Sequence, residues 1–182
     1  MNGAGAKAIL VTWFGNRAFD DTLLELFNAL TESNFLCFAA MAAVTRHSVL
    51  PRYGESRPDS NDVMQIKEFS EKCCNAAIQE INPVTVSGNF PYRKYQSIPI
   101  KPKVSKSCNG CGMCAKECPV SAIDPQRLNK TDKNKCISCL RCVAQCPRHA
   151  RYINKFVLKI AEVGMNKLCA DRKENSFFIA QS

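Results

Sequence analysis

No apolar run in the chain reaches the about eighteen residues that a membrane-spanning helix requires, so no membrane partner is expected. Residues 1–8 carry one lysine and no apolar stretch, which excludes a secretory signal and implies a cytoplasmic location. Histidine is scarce. His47 and His149 are isolated, neither stands beside a candidate nucleophile, and no Ser-His-Asp, Cys-His or paired-carboxylate arrangement occurs. Asp20-Asp21 reads as a helix start rather than an acid/base pair, so no catalytic residue is assigned. Gly3-Ala4-Gly5 precedes the first apolar run instead of following it, which excludes a dinucleotide-binding fingerprint. No nucleic-acid-binding motif is present, and nucleic acid is not an expected partner.

Cysteine is what the chain has in excess. Twelve are present in 182 residues, and eight of them lie between Cys108 and Cys146. In a reducing compartment clustered thiols point to metal rather than to disulfides. Charge is uneven as well. Residues 1–100 hold nine Lys/Arg against ten Asp/Glu, whereas residues 101–150 hold ten against three. Part of that basicity offsets the negative charge of metal-bound thiolates; the rest suits an acidic protein partner.

Ala8 to Phe14 is a short apolar run that ends at Gly15-Asn16, the pattern of a buried parallel strand with Trp13 and Phe14 in the core. A helix follows over 20–31, capped by Asp20 or Asp21, with Leu23, Leu24, Phe27 and Leu30 on one face. Phe35 to Val44 reads as a second strand. Pro58-Asp59-Ser60 opens a helix reaching about Ile81, with Val63, Ile66, Phe69, Cys73 and Ala77 inward. This βαβα unit over 1–82 has too few strands for a whole parallel-sheet domain. Pro83, Pro91, Pro99 and Pro102 mark 83–103 as a linker, with 98–103 extended. Residues 104–150 hold the cysteine module, and 151–182 form a C-terminal helix and tail that buries Phe156, Ile160, Val163 and Leu168. Cys37, Cys73, Cys74 and Cys169 lack partners at ligand spacing and read as buried free thiols.

The decisive pattern is a repeat. Cys108-x2-Cys111-x2-Cys114-x3-Cys118-Pro119 recurs 28 residues later as Cys136-x2-Cys139-x2-Cys142-x3-Cys146-Pro147. Three cysteines at i, i+3 and i+6 can wrap one [4Fe–4S] cube, and the fourth, before proline, reaches the other cube. One cluster is therefore assigned to Cys108, Cys111, Cys114 and Cys146, the other to Cys136, Cys139, Cys142 and Cys118. Zinc prefers paired ligands and has no use for the third cysteine of each run. Gly110, Gly112, Ala115 and Ser138 keep the loops small, so backbone amides can approach the sulfides. Lys106, Lys116, Lys135 and Arg141 flank the ligands and are candidates for a docking face.

Residues 104–150 resemble the bacterial-type 2[4Fe–4S] ferredoxins. Over a longer span, Phe14-Gly15-Asn16-Arg17-Ala18-Phe19-Asp20-Asp21, Gly54, Arg57-Pro58-Asp59, the double cysteine run and Lys173-Glu174-Asn175 resemble the flavodoxin–ferredoxin fusion proteins of anaerobic bacteria. That resemblance implies an α+β chain: a partial α/β flavodoxin-like segment, a ferredoxin-like 2[4Fe–4S] module and a C-terminal helix. It implies FMN as well as clusters, with Gly15, Asn16 and Arg17 bordering the flavin ring. The family's Ser/Thr-rich phosphate loop has no counterpart here, as if the chain began near the fourth flavodoxin strand, which argues against stable FMN binding. The expected function is that of a two-cluster carrier passing single electrons between redox protein partners. The alternative is an FMN-dependent oxidoreductase whose clusters feed the flavin.

Overall fold

The computed structural model describes residues 2–80, 82–94 and 100–180. The chain divides into two compact units: Met1–His47, Pro51–Lys94 and Leu168–Ser182 form one, and Ser48–Leu50 with Tyr95–Lys167 the other.

The first unit is built on a sheet. β1 (Lys7–Phe14) and β2 (Leu36–Val44) pair in parallel and are joined by helix α1 (Thr22–Glu32). β2 is buried along nearly its whole length, and its alanines 39, 40, 42 and 43 let neighbours approach closely on both faces. Leu10, Leu23, Cys37, Ala40 and Val84 pack on one face with Phe27 and Leu30 of α1. On the other, Phe38, Ala39 and Met41 meet Phe69 and Cys73 of α2 (Ser60–Ala77). α2 starts at a capping box in which Asp59 and Asp62 each accept the other's backbone N–H. Its end at Ala77 is earlier than expected, and Ile81 lies outside the described residues.

Sequence periodicity misses several features of this unit. β1 is not buried on both sides: Ile9, Val11 and Trp13 are exposed, while Phe14 is buried. Helix α2 turns Val63 outward, and Cys74 is exposed rather than buried. Asp21 stands at the start of α1 but makes no cap bond. Its carboxylate accepts from the backbone N–H groups of Asn89 (2.7 Å) and Arg93 (2.7 Å). Linker residues are thereby pinned to the sheet unit, and Val84 N donates to Cys37 O at 2.8 Å.

The supposed tail supplies the missing strand. β5 (Ser176–Ile179) pairs antiparallel with β2, giving the order β1-β2-β5. A polar network anchors it. The buried Arg57 guanidinium forks onto buried Asp62 and donates to Lys173 O at 2.7 Å. Asn175 donates to Asp62 (2.9 Å) and accepts from Val44 N (2.9 Å). A buried ion pair repays its desolvation only with good geometry and further hydrogen bonds, which Lys173 O and Asn175 supply here. The separated motifs Arg57-Pro58-Asp59 and Lys173-Glu174-Asn175 thus form one cluster.

The second unit contains two short helical turns, α3 (Met113–Lys116) and α4 (Arg141–Ala144), and a two-stranded ladder of β3 (Lys103–Val104) with β4 (Arg151–Tyr152). One apolar cluster of this unit is Ile100, Leu140 and Ile153, with Val143, Leu158 and Ala161 against it. Residues 98 and 99 of the expected extended stretch lie outside the described residues. Helix α5 (Lys155–Cys169) begins here after Asn154, whose side chain accepts from Phe156 N at 2.9 Å. Leu158 and Ala161 set its inward face, so Phe156, Ile160 and Val163 are exposed, as is Leu168. Position 160 lies about 200° around the helix from 158.

Candidate metal centre

The 28-residue repeat is carried into the backbone. Helical turns α3 and α4 are offset by that period. So are the left-handed residues: Gly110 with Ser138, Gly112 with Leu140, and Ser121 with His149. Each left-handed residue reverses the chain so that consecutive cysteines turn toward one space. The second copy does this with Ser138 and Leu140 instead of glycine. Loop 136–140 is braced by Lys101, whose Nζ donates to Cys136 O (2.6 Å) and Ser138 Oγ (3.1 Å).

Two small cavities result, each of about 20 Å³. Cys108, Cys111, Cys114 and Cys146 line one. Cys118, Cys136, Cys139 and Cys142 line the other. In both, the fourth cysteine comes from the opposite repeat. Ala122 N donates to Cys118 Sγ and Ala150 N to Cys146 Sγ, each at 3.2 Å. Such N–H···S bonds favour the thiolate. Burial opposes ionisation of Cys146, yet the backbone N–H groups of Arg151, Ala150 and Arg148, with the Arg151 charge, hold its thiol below the ordinary range. Burial pushes the Cys142 thiol up. Among the described residues no three His, Cys, Asp or Glu side chains converge on a single-ion position; the cysteines ring a space instead. Four soft thiols around a walled cavity with amide donors to sulfur form a donor set suited to an iron–sulfur cluster.

A 4Fe-4S dicluster domain model matches residues 107–151. Ferredoxin-2 of Chlorobaculum tepidum is 36% identical over 52 residues, which cover 84% of that protein and 25% of this chain. The chain belongs to the ferredoxins. It carries a 4Fe-4S cluster-binding domain. The ferredoxin segment is also 42% identical over 55 residues to the thiosulfate reductase electron transfer subunit PhsB of Salmonella typhi, over 28% of this chain and 29% of that one. A subunit of an ion-translocating oxidoreductase complex from Methanosarcina acetivorans is 42% identical over 52 residues, over 28% of this chain and 20% of that one. The chain thus spans less than a third of the length of these two larger relatives.

The flanking cations of this ferredoxin differ in their engagement. Lys106, Lys116 and Lys135 are exposed. Arg141 donates to Glu117 Oε2 through Nε (3.0 Å) and Nη2 (2.5 Å), tying α4 to α3. Sequence reasoning missed Arg151. It is buried, lines the Cys108/Cys146 cavity, and donates to Leu128 O (2.6 Å) and Thr131 Oγ1 (2.9 Å). Its position in the repeat gave the only signal: Ala-Arg stands where the first copy has Ala-Ile.

The loop of Gly15, Asn16 and Arg17 serves the sheet unit. Both amide hydrogens of buried Asn16 are spent on Cys169 O (2.8 Å) and Asp171 O (3.1 Å), and its Oδ1 accepts from Lys173 N (3.2 Å). A Cβ on Gly15 would meet the His47 backbone at 2.8 Å, so the glycine is required by packing. Arg17 pairs with Asp20 and lines an open cleft with Phe14, Phe19 and Arg93. No helix among the described residues is long and apolar enough to cross a membrane.

Proposed function

We propose that this chain is a two-cluster electron carrier. One [4Fe–4S] cluster is held by Cys108, Cys111, Cys114 and Cys146, the other by Cys136, Cys139, Cys142 and Cys118, and single electrons pass between redox protein partners. The observation that carries this reading is the crossing of the fourth cysteines, Cys118 and Cys146, into each other's cavities. Each cluster supplies a one-electron site without proton or group transfer. The cysteine thiolates hold it, the amides of Ala122 and Ala150 donate to sulfur, and exposed Lys106, Lys116 and Lys135 present positive charge to an acidic partner. The relatives named as electron transfer and oxidoreductase subunits support the partner-protein reading.

Residues 1–82 are, in the same proposal, a flavodoxin-like βαβα segment, followed by a linker over 83–103, the cluster module over 104–150 and the C-terminal 151–182. Support comes from the parallel β1–α1–β2 arrangement and from the convergence of Arg57 and Asn175 on Asp62.

Anaerobic purification with added FMN tests the proposal through iron, sulfide and flavin stoichiometry and spectra before and after dithionite. About eight irons and eight sulfides per chain, four of each per cube, are expected. Tightly held zinc with little iron would overturn it, and FMN retained through gel filtration would move the protein to the flavoenzymes.

A further inference from the structure

The two cysteine cavities obey one repeat but differ in their buried charge. Arg151 is 3% exposed and lines the cavity of Cys108, Cys111, Cys114 and Cys146. Two of its nitrogens are bonded, to Leu128 O and Thr131 Oγ1, while the buried Nε–H has no partner among the described residues. Buried donors are nearly always paired, so an unclaimed N–H beside a thiol-lined space points to an acceptor there. The equivalent position in the first repeat is Ile123, also 3% exposed, at the cavity of Cys118, Cys136, Cys139 and Cys142. A guanidinium stands in one half where a hydrocarbon stands in the other.

Building on the two-cluster reading, we infer that Arg151 makes the Cys108/Cys111/Cys114/Cys146 site the electron-accepting end of the module. Reduction adds one negative charge to a site. A cation buried beside it lowers the energy of that added charge far more than a solvated one does. When an external one-electron donor gives up one electron, the protein gains one, and Arg151 biases it toward the first site; no bond or proton changes place.

The competing cations are weaker. Arg141 lines the other cavity but is exposed and neutralised by Glu117. Lys101 braces loop 136–140, yet it does not line the cavity, and carbonyl and hydroxyl oxygens already take its protons. Arg148, also exposed, adds to the Arg151 side. Arg151 acts as a positioning residue for the electron, through its charge and its Nε–H.

The test is a stepwise reductive titration of the anaerobic full chain, followed by the paramagnetically shifted β-proton NMR signals of the cysteines. Iron content is measured on the same sample. Signals of Cys108, Cys111 and Cys114 should move first, with an electron partition of about tenfold or more in their favour, equivalent to about 59 mV for one electron. In Arg151→Ile the gap should close or reverse at unchanged iron content; in Arg151→Lys, which keeps the charge, the order should persist. Simultaneous or reversed movement in the native protein overturns the inference, as does an unchanged gap in fully loaded Arg151→Ile. About four irons per native chain would instead overturn the two-cluster reading, and the inference with it.

Discussion

In the sheet unit, β2 is buried along eight of its nine residues between two apolar clusters, and the Arg57–Asp62–Asn175 network closes the end where β5 joins. In the ferredoxin unit, the buried large aliphatic side chains among the described residues are few, chiefly Ile100, Ile123, Leu140 and Ile153, and apart from α5 its regular elements are two to four residues long. Backbone ordering costs about 1–2 kcal/mol per residue, and a core this small cannot hold that many residues by itself. The first region is stabilised by burial; in the proposed two-cluster reading the second gains its stability from cysteine–metal bonds that span its two repeats.

Removing iron is the strongest way to separate the two. With an iron chelator under anaerobic conditions, amide exchange in 104–150 should lose its protection while β2 amides stay slow. Loss of protection in both regions together would contradict separate sources of stability. Next in size is the loss of a crossing ligand. Cys146→Ala should lower bound iron to about half, four of about eight atoms, and the surviving cysteine signals should belong to Cys136, Cys139 and Cys142 although Cys146 is in their repeat.

In the sheet unit, Arg57→Ala leaves the Asp62 carboxylate buried without its cation. Chemical denaturation should show a loss of about 3–5 kcal/mol with iron content unchanged. In the ferredoxin unit, Gly112→Ala isolates a backbone effect, since φ is +77° and a Cβ there meets nothing within 4 Å. The expected cost is about 1–2 kcal/mol, read from thermal melts of the loaded protein. The smallest effect is acidic. The Arg172 guanidinium and the Asp62 backbone N–H hold Asp59 at about 2, below its ordinary 3.8. A depressed carboxylate stabilises above the unfolded value and loses that contribution as pH falls through the folded one. The sheet unit should therefore weaken between about pH 4 and 2; Asp59→Asn should flatten that slope.

The site was far more legible in the sequence than the fold around it. Cysteine spacing is a local rule of ligand geometry, so the two sets of four could be written down from Cys108, Cys136 and the proline-flanked Cys118 and Cys146 alone, and those sets line the two cavities. Periodicity recovered β1, α1, β2 and α2 because each is a continuous segment. It could not find β5, four residues whose strand character comes from pairing with β2, more than 130 residues earlier in the chain. Nor could it orient α5, where Leu158 and Ala161 face inward because Ile100, Leu140 and Ile153 lie there. Asp21 reads as a helix cap, yet it and Asn16 both tie distant backbone, which no local pattern encodes. Arg151 was hidden by the repeat itself: the two copies align so well at cysteine that the exchange of Ile123 for arginine passes as surface variation until its burial is seen.

The most direct measurement is anomalous diffraction at the iron edge from anaerobically grown crystals of the full chain. Two compact four-iron peaks are predicted, one bounded by Cys108, Cys111, Cys114 and Cys146 and the other by Cys136, Cys139, Cys142 and Cys118. A single peak, isolated ions, or peaks each bounded by four cysteines of one repeat would contradict the crossed two-cluster carrier.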